Sequence, residues 1–230
     1  MKTLIIKIVL LCLISIPAYT QNKVKTFSFK KGEVLDILLL STTKENTKAL
    51  FDRYKETAFP VAFKYSYQPQ PGFAIKKLVL GNYLPTSFIL GKWKSKAKRE
   101  GFLQNIVKNV PDFHQQRRGL FTNFELTYYE MPRDISFSVA SEKYTVVTAF
   151  WGNSKKNKEL YKKWEAKTKE RGGEIVIKLE NGISPAGYYY NADVLYIVQW
   201  KNAKEFESFA KKYPLPVFDK LQNVHQFVIQ

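Results

Sequence analysis

Two tryptophan-lysine pairs set 107 residues apart, Trp93-Lys94 and Trp200-Lys201, constrain this chain more than any other feature of it. The match continues at the same offset from Glu100 and Phe102 to Glu207 and Phe209, and at an offset of 110 Phe51 and Tyr54 meet Tyr161 and Trp164. Pro111-Asp112-Phe113 likewise resembles Pro216-Val217-Phe218. Offsets that drift by a few residues are what two diverged copies of one unit, separated by loop insertions, leave in a sequence. Whatever fold one half adopts, the other has to adopt too.

Hydrophobic periodicity supplies the elements of that unit. The run VLDILLLS from Val34 to Ser41 reads as a buried strand. Residues 44–65 place Leu50, Phe51, Tyr54, Ala58 and Val61 at helical spacing, and Pro60 is expected to kink or end that helix. A turn over residues 68–72 leads to strands at 73–80 and 87–93, a helix at 96–110 and a strand at 123–130. The second half follows suit: strand 143–151, helix 155–171 stopped by Gly172-Gly173, strand 174–179, a Gly, Pro and Tyr-rich loop, strand 194–200, helix 203–212 and strand 224–229. In both copies the residue two places beyond the tryptophan, Ser95 or Asn202, suits a helix N-cap. The tryptophans therefore read as core or rim residues at a strand-to-helix corner rather than as a site used twice.

The order β-α-β-β-α-β is the ferredoxin-like split motif, with two helices on one face of a four-stranded antiparallel sheet and an apolar opposite face. One copy alone would expose that face, so two copies are expected to bury it against each other. The expected fold class is α+β, with two tandem ferredoxin-like units packed sheet to sheet. Residues 21–131 and 144–230 are the units and 132–143 the linker. On this element order, the aromatic-bearing helix ending at Gly172-Gly173 and the strand ending at Trp200, the chain resembles the dimeric α/β-barrel superfamily, most of all its small uncharacterised-domain branch. The resemblance implies cofactor-free monooxygenases, isomerases, haem-dependent enzymes, stress-response proteins and ligand-binding regulators as the range of functions, and fold alone does not choose among them.

The first 20 residues join two lysines to an apolar run from Leu4 to Ile16, followed by Pro17 and Ala18-Tyr19-Thr20. That is the pattern of a secretory signal peptide, and the run is shorter than the ~20 apolar residues a bilayer span needs. Cys12 lies inside it behind Leu10 and Leu11, which argues against a lipid anchor. Export would remove the one cysteine and two of the 37 basic residues, taking the net charge from +17 to +15. The expected mature protein is a basic monomer, periplasmic or secreted, without disulfide, thiol nucleophile or membrane anchor. A field of that sign attracts polyanions.

Walker, GxGxxG and HExxH motifs are missing, as is any histidine-carboxylate cluster at metal spacing, so neither metal nor cofactor is expected. Proton transfer then falls to His114, His225 or tyrosine. His114 stands beside Arg117 and Arg118 in PDFHQQRRG, where guanidinium groups could hold a carboxylate or sulfate while the histidine moves a proton. His225 alternates onto one strand face with Phe227 and Ile229. Tyr188, Tyr189 and Tyr190 precede the third strand of the second half, Tyr67 takes the corresponding loop in the first, and Lys92 is a cation inside a strand. His114, His225 and Tyr189 are the expected catalytic residues, and Arg117, Arg118, Lys92, Tyr67, Tyr188 and Tyr190 the expected binding residues. A recognition sheet of the kind that stacks nucleic-acid bases is not visible.

Exported basic character with Arg, His and Tyr suits removal of a proton next to a carboxylate followed by elimination. The leading expectation is a carbon-oxygen lyase or dehydratase acting on an acidic oligosaccharide. The alternatives are a non-catalytic binding protein for a small anion or acidic polysaccharide, and a cofactor-free monooxygenase or isomerase. Asp219 near the position of His114, and Thr127 near that of His225, suggest at most one working site per chain.

Overall fold

The computed structural model describes residues 24–152, 157–185, 188, 190–215 and 221–230. Two short strands, β1 (Val24–Phe29) and β7 (Ile135–Ala140), form a ribbon of their own. The first half continues with β2 (Val34–Thr42), α1 (Thr47–Lys64), β3 (Gln68–Pro69), β4 (Phe73–Leu80), β5 (Ser87–Trp93), α2 (Lys96–Asn109), α3 (Phe113–Leu120) and β6 (Phe121–Glu130). The second half consists of β8 (Tyr144–Gly152), α4 (Asn157–Glu170), β9 (Glu174–Glu180), β10 (Val194–Trp200), α5 (Ala203–Lys212) and β11 (Leu221–Ile229).

The main sheet runs β6-β2-β5-β4-β11-β8-β10-β9, all antiparallel, with β3 extending the β4 side of β5. Each half has the same internal order, with its first strand between its fourth and third and its second strand outermost. The halves join where β4 pairs with β11. At the far ends the sheet curls round until Tyr128 in β6 and Ile183, just past β9, exchange two backbone hydrogen bonds of 2.9 Å.

Strand alternation divides the side chains between the inside of this curl and the helix layers. Leu35, Ile37 and Leu39 of β2 meet Phe88, Leu90, Val147, Leu195, Ile197 and Phe227 inside. Val34 points the other way, to Ala58, Trp93, Phe102 and Ile106 under the first-half helices. In the second half Val146 and Phe150 face Trp164, Trp200, Phe206 and Phe209. The ribbon adds Phe27, Phe29, Phe137 and Val139 to the interior cluster, while its other face carries the Thr26–Ser138 and Ser28–Ser136 hydroxyl pairs at 2.8 and 3.0 Å. Residues 132–143, expected as a linker, thus include a strand that covers the interior.

Ser95 and Asn202 cap α2 and α5, accepting from Lys98 N at 3.3 Å and Glu205 N at 3.0 Å. Gly172, at φ +84°, takes the left-handed conformation that closes α4. One local expectation is corrected in part: Pro60 does not end its helix. Helix α1 continues through Pro60 to Lys64, because the hydrogen bond proline removes lies on the exposed side while Val61 and Ala62 stay buried. Within PDFHQQRRG, Phe113, Gln116 and Arg117 recur at helical spacing and, with Leu120, bury one face of α3.

Candidate functional site

Helices α1, α2 and α3 do not close fully on the sheet beneath them. Between them and β2, β5 and β6 lies a cavity of about 560 Å³, within the ~300–1,000 Å³ range of small-molecule sites. Its walls are apolar, built from Leu38, Leu40 and Ile89 on the strands and Phe51, Tyr54 and Phe59 on α1. Three charged groups that are almost wholly buried also line it: Asp36, Arg99 and Arg117.

Asp36 stands in β2 among leucines and isoleucine. Its Oδ1 accepts from Arg99 Nε at 3.0 Å, and its Oδ2 from the Trp93 indole at 2.9 Å. Burial pushes its carboxyl above the usual carboxylate range, against the pull of Arg99 and Trp93. Arg99 is left with Nη1 buried and without a hydrogen-bond partner among the described residues. Arg117 lies with its guanidinium carbon 3.5 Å from the centre of the Phe124 ring, and both its Nε and its Nη2 are buried without such a partner. Burial pulls the Arg117 pKa down, and the nearby Tyr54 and Tyr188 hydroxyls oppose this.

Strand register identifies what the second half holds at matching places. Val34 faces Trp93 across β2 and β5, and Tyr144 faces Trp200 across β8 and β10. Counting from these anchors, Asp36 matches Val146 and Arg99 matches Phe206, so the ion pair gives way to two apolar side chains. Leu40, Ile89 and Tyr54 match the larger Phe150, Tyr196 and Trp164, whose ring centroids lie 5.0 to 6.0 Å apart. The space that is open in the first half is filled by rings in the second.

The expected site residues scatter. Arg117 and Tyr67 line the cavity, and the Tyr188 ring lies 5.3 Å from the Arg117 guanidinium. His114 and Arg118 do not share it: both are exposed on the solvent side of α3. Burial, with the charges of Arg117 and Arg118 adding to it, lowers the His114 pKa, but its ring does not line the cavity. Lys92 pairs with Glu33 at 2.6 Å and donates to the Ser28 carbonyl at 3.0 Å, which ties β5 to the ribbon. Tyr189 lies outside the described residues.

His225 and Tyr190 belong to a second, smaller hollow of about 220 Å³, lined also by Tyr83, Glu125 and Trp151. His225 Nε2 is 2.7 Å from the Tyr83 carbonyl, which can only accept, so Nε2 carries the proton. Nδ1 then accepts from the Tyr190 hydroxyl at 2.7 Å. With both nitrogens engaged and its pKa lowered to about 4 by burial, this histidine is a neutral structural pin rather than a base poised for a substrate. Asp36 and Arg99 were missed by sequence reasoning. Their signals were an acid inside VLDILLLS and a cation on the Phe102–Ile106 face of α2.

Among the described residues no group of three or more His, Cys, Asp or Glu could hold a metal ion. Haem with an axial histidine does not fit the cavity either, since neither His114 nor His225 lines it.

No protein-family model matches the chain, and no curated protein matches it by sequence. Solved structures do match by shape. An anthrone oxidase-like protein aligns over 89% of this chain and 94% of its own, with 13% identity and a TM-score of 0.51. A chlorite dismutase variant from Candidatus Nitrospira defluvii aligns over 88% and 93%, with 7% identity and a TM-score of 0.50. The chain shares the fold of these two proteins.

The lyase expectation is corrected by the same findings. These two proteins bear the names of an oxidase-like protein and a dismutase, not of lyases. The cavity also argues against a saccharide. An oligosaccharide presents a hydroxyl on nearly every carbon, and walls of Leu38, Leu40, Ile89, Phe51 and Phe59 would leave most of those hydroxyls unpaired.

Proposed function

We propose that the chain binds a flat, largely apolar small molecule in the cavity of its first half and oxygenates it without a protein-bound cofactor. The observation that carries this reading is the pair of buried guanidinium groups set in the apolar walls of a cavity of about 560 Å³. Positive charge in such surroundings stabilises an anion far more than it would in water.

A CH₂ group between two aromatic rings that are conjugated to a carbonyl, as in anthrone, loses a proton readily once the extended enolate is stabilised. Arg99 offers Nη1–H to the developing oxyanion, Arg117 adds a second positive charge, and Asp36, whose proton affinity burial raises, takes the proton. The enolate passes an electron to O₂, the two radicals combine, and the hydroperoxide loses water. In sum, CH₂ and O₂ give C=O and H₂O. The name of the anthrone oxidase-like protein that shares the fold supports this class of chemistry.

The shared strand order and the paired tryptophans further support an origin of both halves in one duplicated unit. In this reading the first half kept the site and the second filled it with Phe150, Trp164 and Tyr196. A single chain then supplies both faces of the barrel and acts as a monomer.

Oxygen uptake by the chelator-treated protein, with anthrone as probe, tests the proposal. Uptake matched mole for mole by ketone formation, and reduced at least tenfold in Arg99→Met, is expected. Probe binding with no uptake above that of Arg99→Met would make this a binding protein and end the oxygenase reading.

A further inference from the structure

Arg117 has a geometry more specific than positive charge. Its guanidinium carbon lies 3.5 Å from the centre of the Phe124 ring, too close for an N–H to point between them, so the group lies face-on to the ring, with the Phe113 and Tyr188 ring centres at 5.2 and 5.3 Å. Stacking occupies the faces of the group and leaves its edges for hydrogen bonds. The two nitrogens without a partner among the described residues are Nε and Nη2, and these share one edge. Their N–H bonds run parallel at the spacing of two carboxylate oxygens, the fork that a carboxylate accepts in bidentate fashion. The side chain is 6% exposed, so bulk water does not serve that edge.

A buried cation with an unanswered fork is costly to a fold, and breaking or omitting its partner is a recognised source of instability. Asp36 does not answer it, being taken up by Arg99 and Trp93.

We infer that the molecule taken into this cavity is a monocarboxylic acid with an apolar body, its carboxylate held by the Nε–Nη2 edge of Arg117 and its body lying along Leu38, Leu40, Ile89 and Phe51. One fork calls for one carboxylate. The inference rests on the cavity being the ligand site proposed above, but it does not depend on turnover. The carboxylate is the anchor, and the reacting carbon lies apart from it, toward Arg99.

The test uses the full chain and three probes of nearly equal size: pyrene-1-butyrate, its methyl ester and 4-(1-pyrenyl)butanol, titrated by calorimetry. The acid is expected to bind roughly 30-fold or more tightly than the ester or the alcohol, as a charge-assisted bidentate pair requires. Arg117→Lys keeps the charge and loses the fork, and should lower acid affinity roughly tenfold while leaving ester affinity unchanged. Arg117→Met should abolish the preference for the acid. It should also melt no lower than the parent, because it removes an uncompensated buried charge. A purely structural arginine would instead lower the melting temperature and leave the preference intact.

Equal affinity for acid, ester and alcohol overturns the carboxylate inference while leaving the cavity as a ligand site. Unchanged acid preference in Arg117→Lys and Arg117→Met overturns it as well. Failure of all three probes to bind removes the cavity reading and this inference with it.

Discussion

Asp36 and Arg99 meet beneath the cavity at 3.0 Å, and the positions that match them in the other half of the same fold are Val146 and Phe206. One corner of the fold is therefore built twice, once with a buried ion pair and once with two apolar side chains. Burying two charges costs desolvation that their attraction often fails to repay, so the apolar version is the better structural solution. Asp36→Asn alone should destabilise the protein by roughly 3–5 kcal/mol, since it strands a buried guanidinium. The double variant Asp36→Val with Arg99→Phe copies the second half and should recover most of that loss in urea denaturation, while oxygen uptake stays abolished. If the double variant is as unstable as Asp36→Asn, the pair is structural.

The same comparison shows how to close the cavity. Leu40→Phe with Ile89→Tyr places at matching positions the rings that fill the second half as Phe150 and Tyr196. Probe binding should fall at least tenfold, with stability held within ~1 kcal/mol if the added volume goes into open space rather than overpacking. Full probe affinity in this folded variant would place the ligand elsewhere.

Most of the fold was legible because core periodicity is redundant. Trp93, Phe102, Trp200 and Phe209 keep their spacing since each closes the same strand-to-helix corner, and several positions report one element order. The site was harder to read. Arg117 stood out as a cation, but its association with His114 failed because adjacent segments of α3 face opposite ways, one into the cavity and one into water. Asp36 and Arg99 lie 63 residues apart and become a pair only when α2 crosses β2, a contact no local pattern contains. The ribbon was missed because each strand is short and its partner lies across the whole first half.

His225 makes stability depend on pH. Its folded-state pKa of about 4 lies below the usual value near 6.5, so the folded state resists a proton that the unfolded chain accepts. The stabilisation is therefore fully present above pH ~6.5 and is lost as the pH falls toward 4, amounting to roughly 3 kcal/mol across that window. His225→Gln is expected to be less stable than the parent at pH 7 but to lose less on acidification. Chemical denaturation of both proteins at pH 7, 5.5 and 4 checks this, and parallel profiles would refute it.

Phe27 tests whether the ribbon is part of the core or a detachable cover. Its ring is fully buried, stacked on Phe137 at 4.8 Å and tilted against Phe73 at 6.1 Å, so it links β1, β7 and β4. Phe27→Ala should cost roughly 3–5 kcal/mol by loss of buried area and an unfilled hole. The cavity lies on the opposite face of the sheet, so probe affinity at low denaturant should not change. A loss below ~1 kcal/mol would mean the ribbon is only loosely held, and a large fall in probe affinity would mean the two faces of the sheet are coupled through β2.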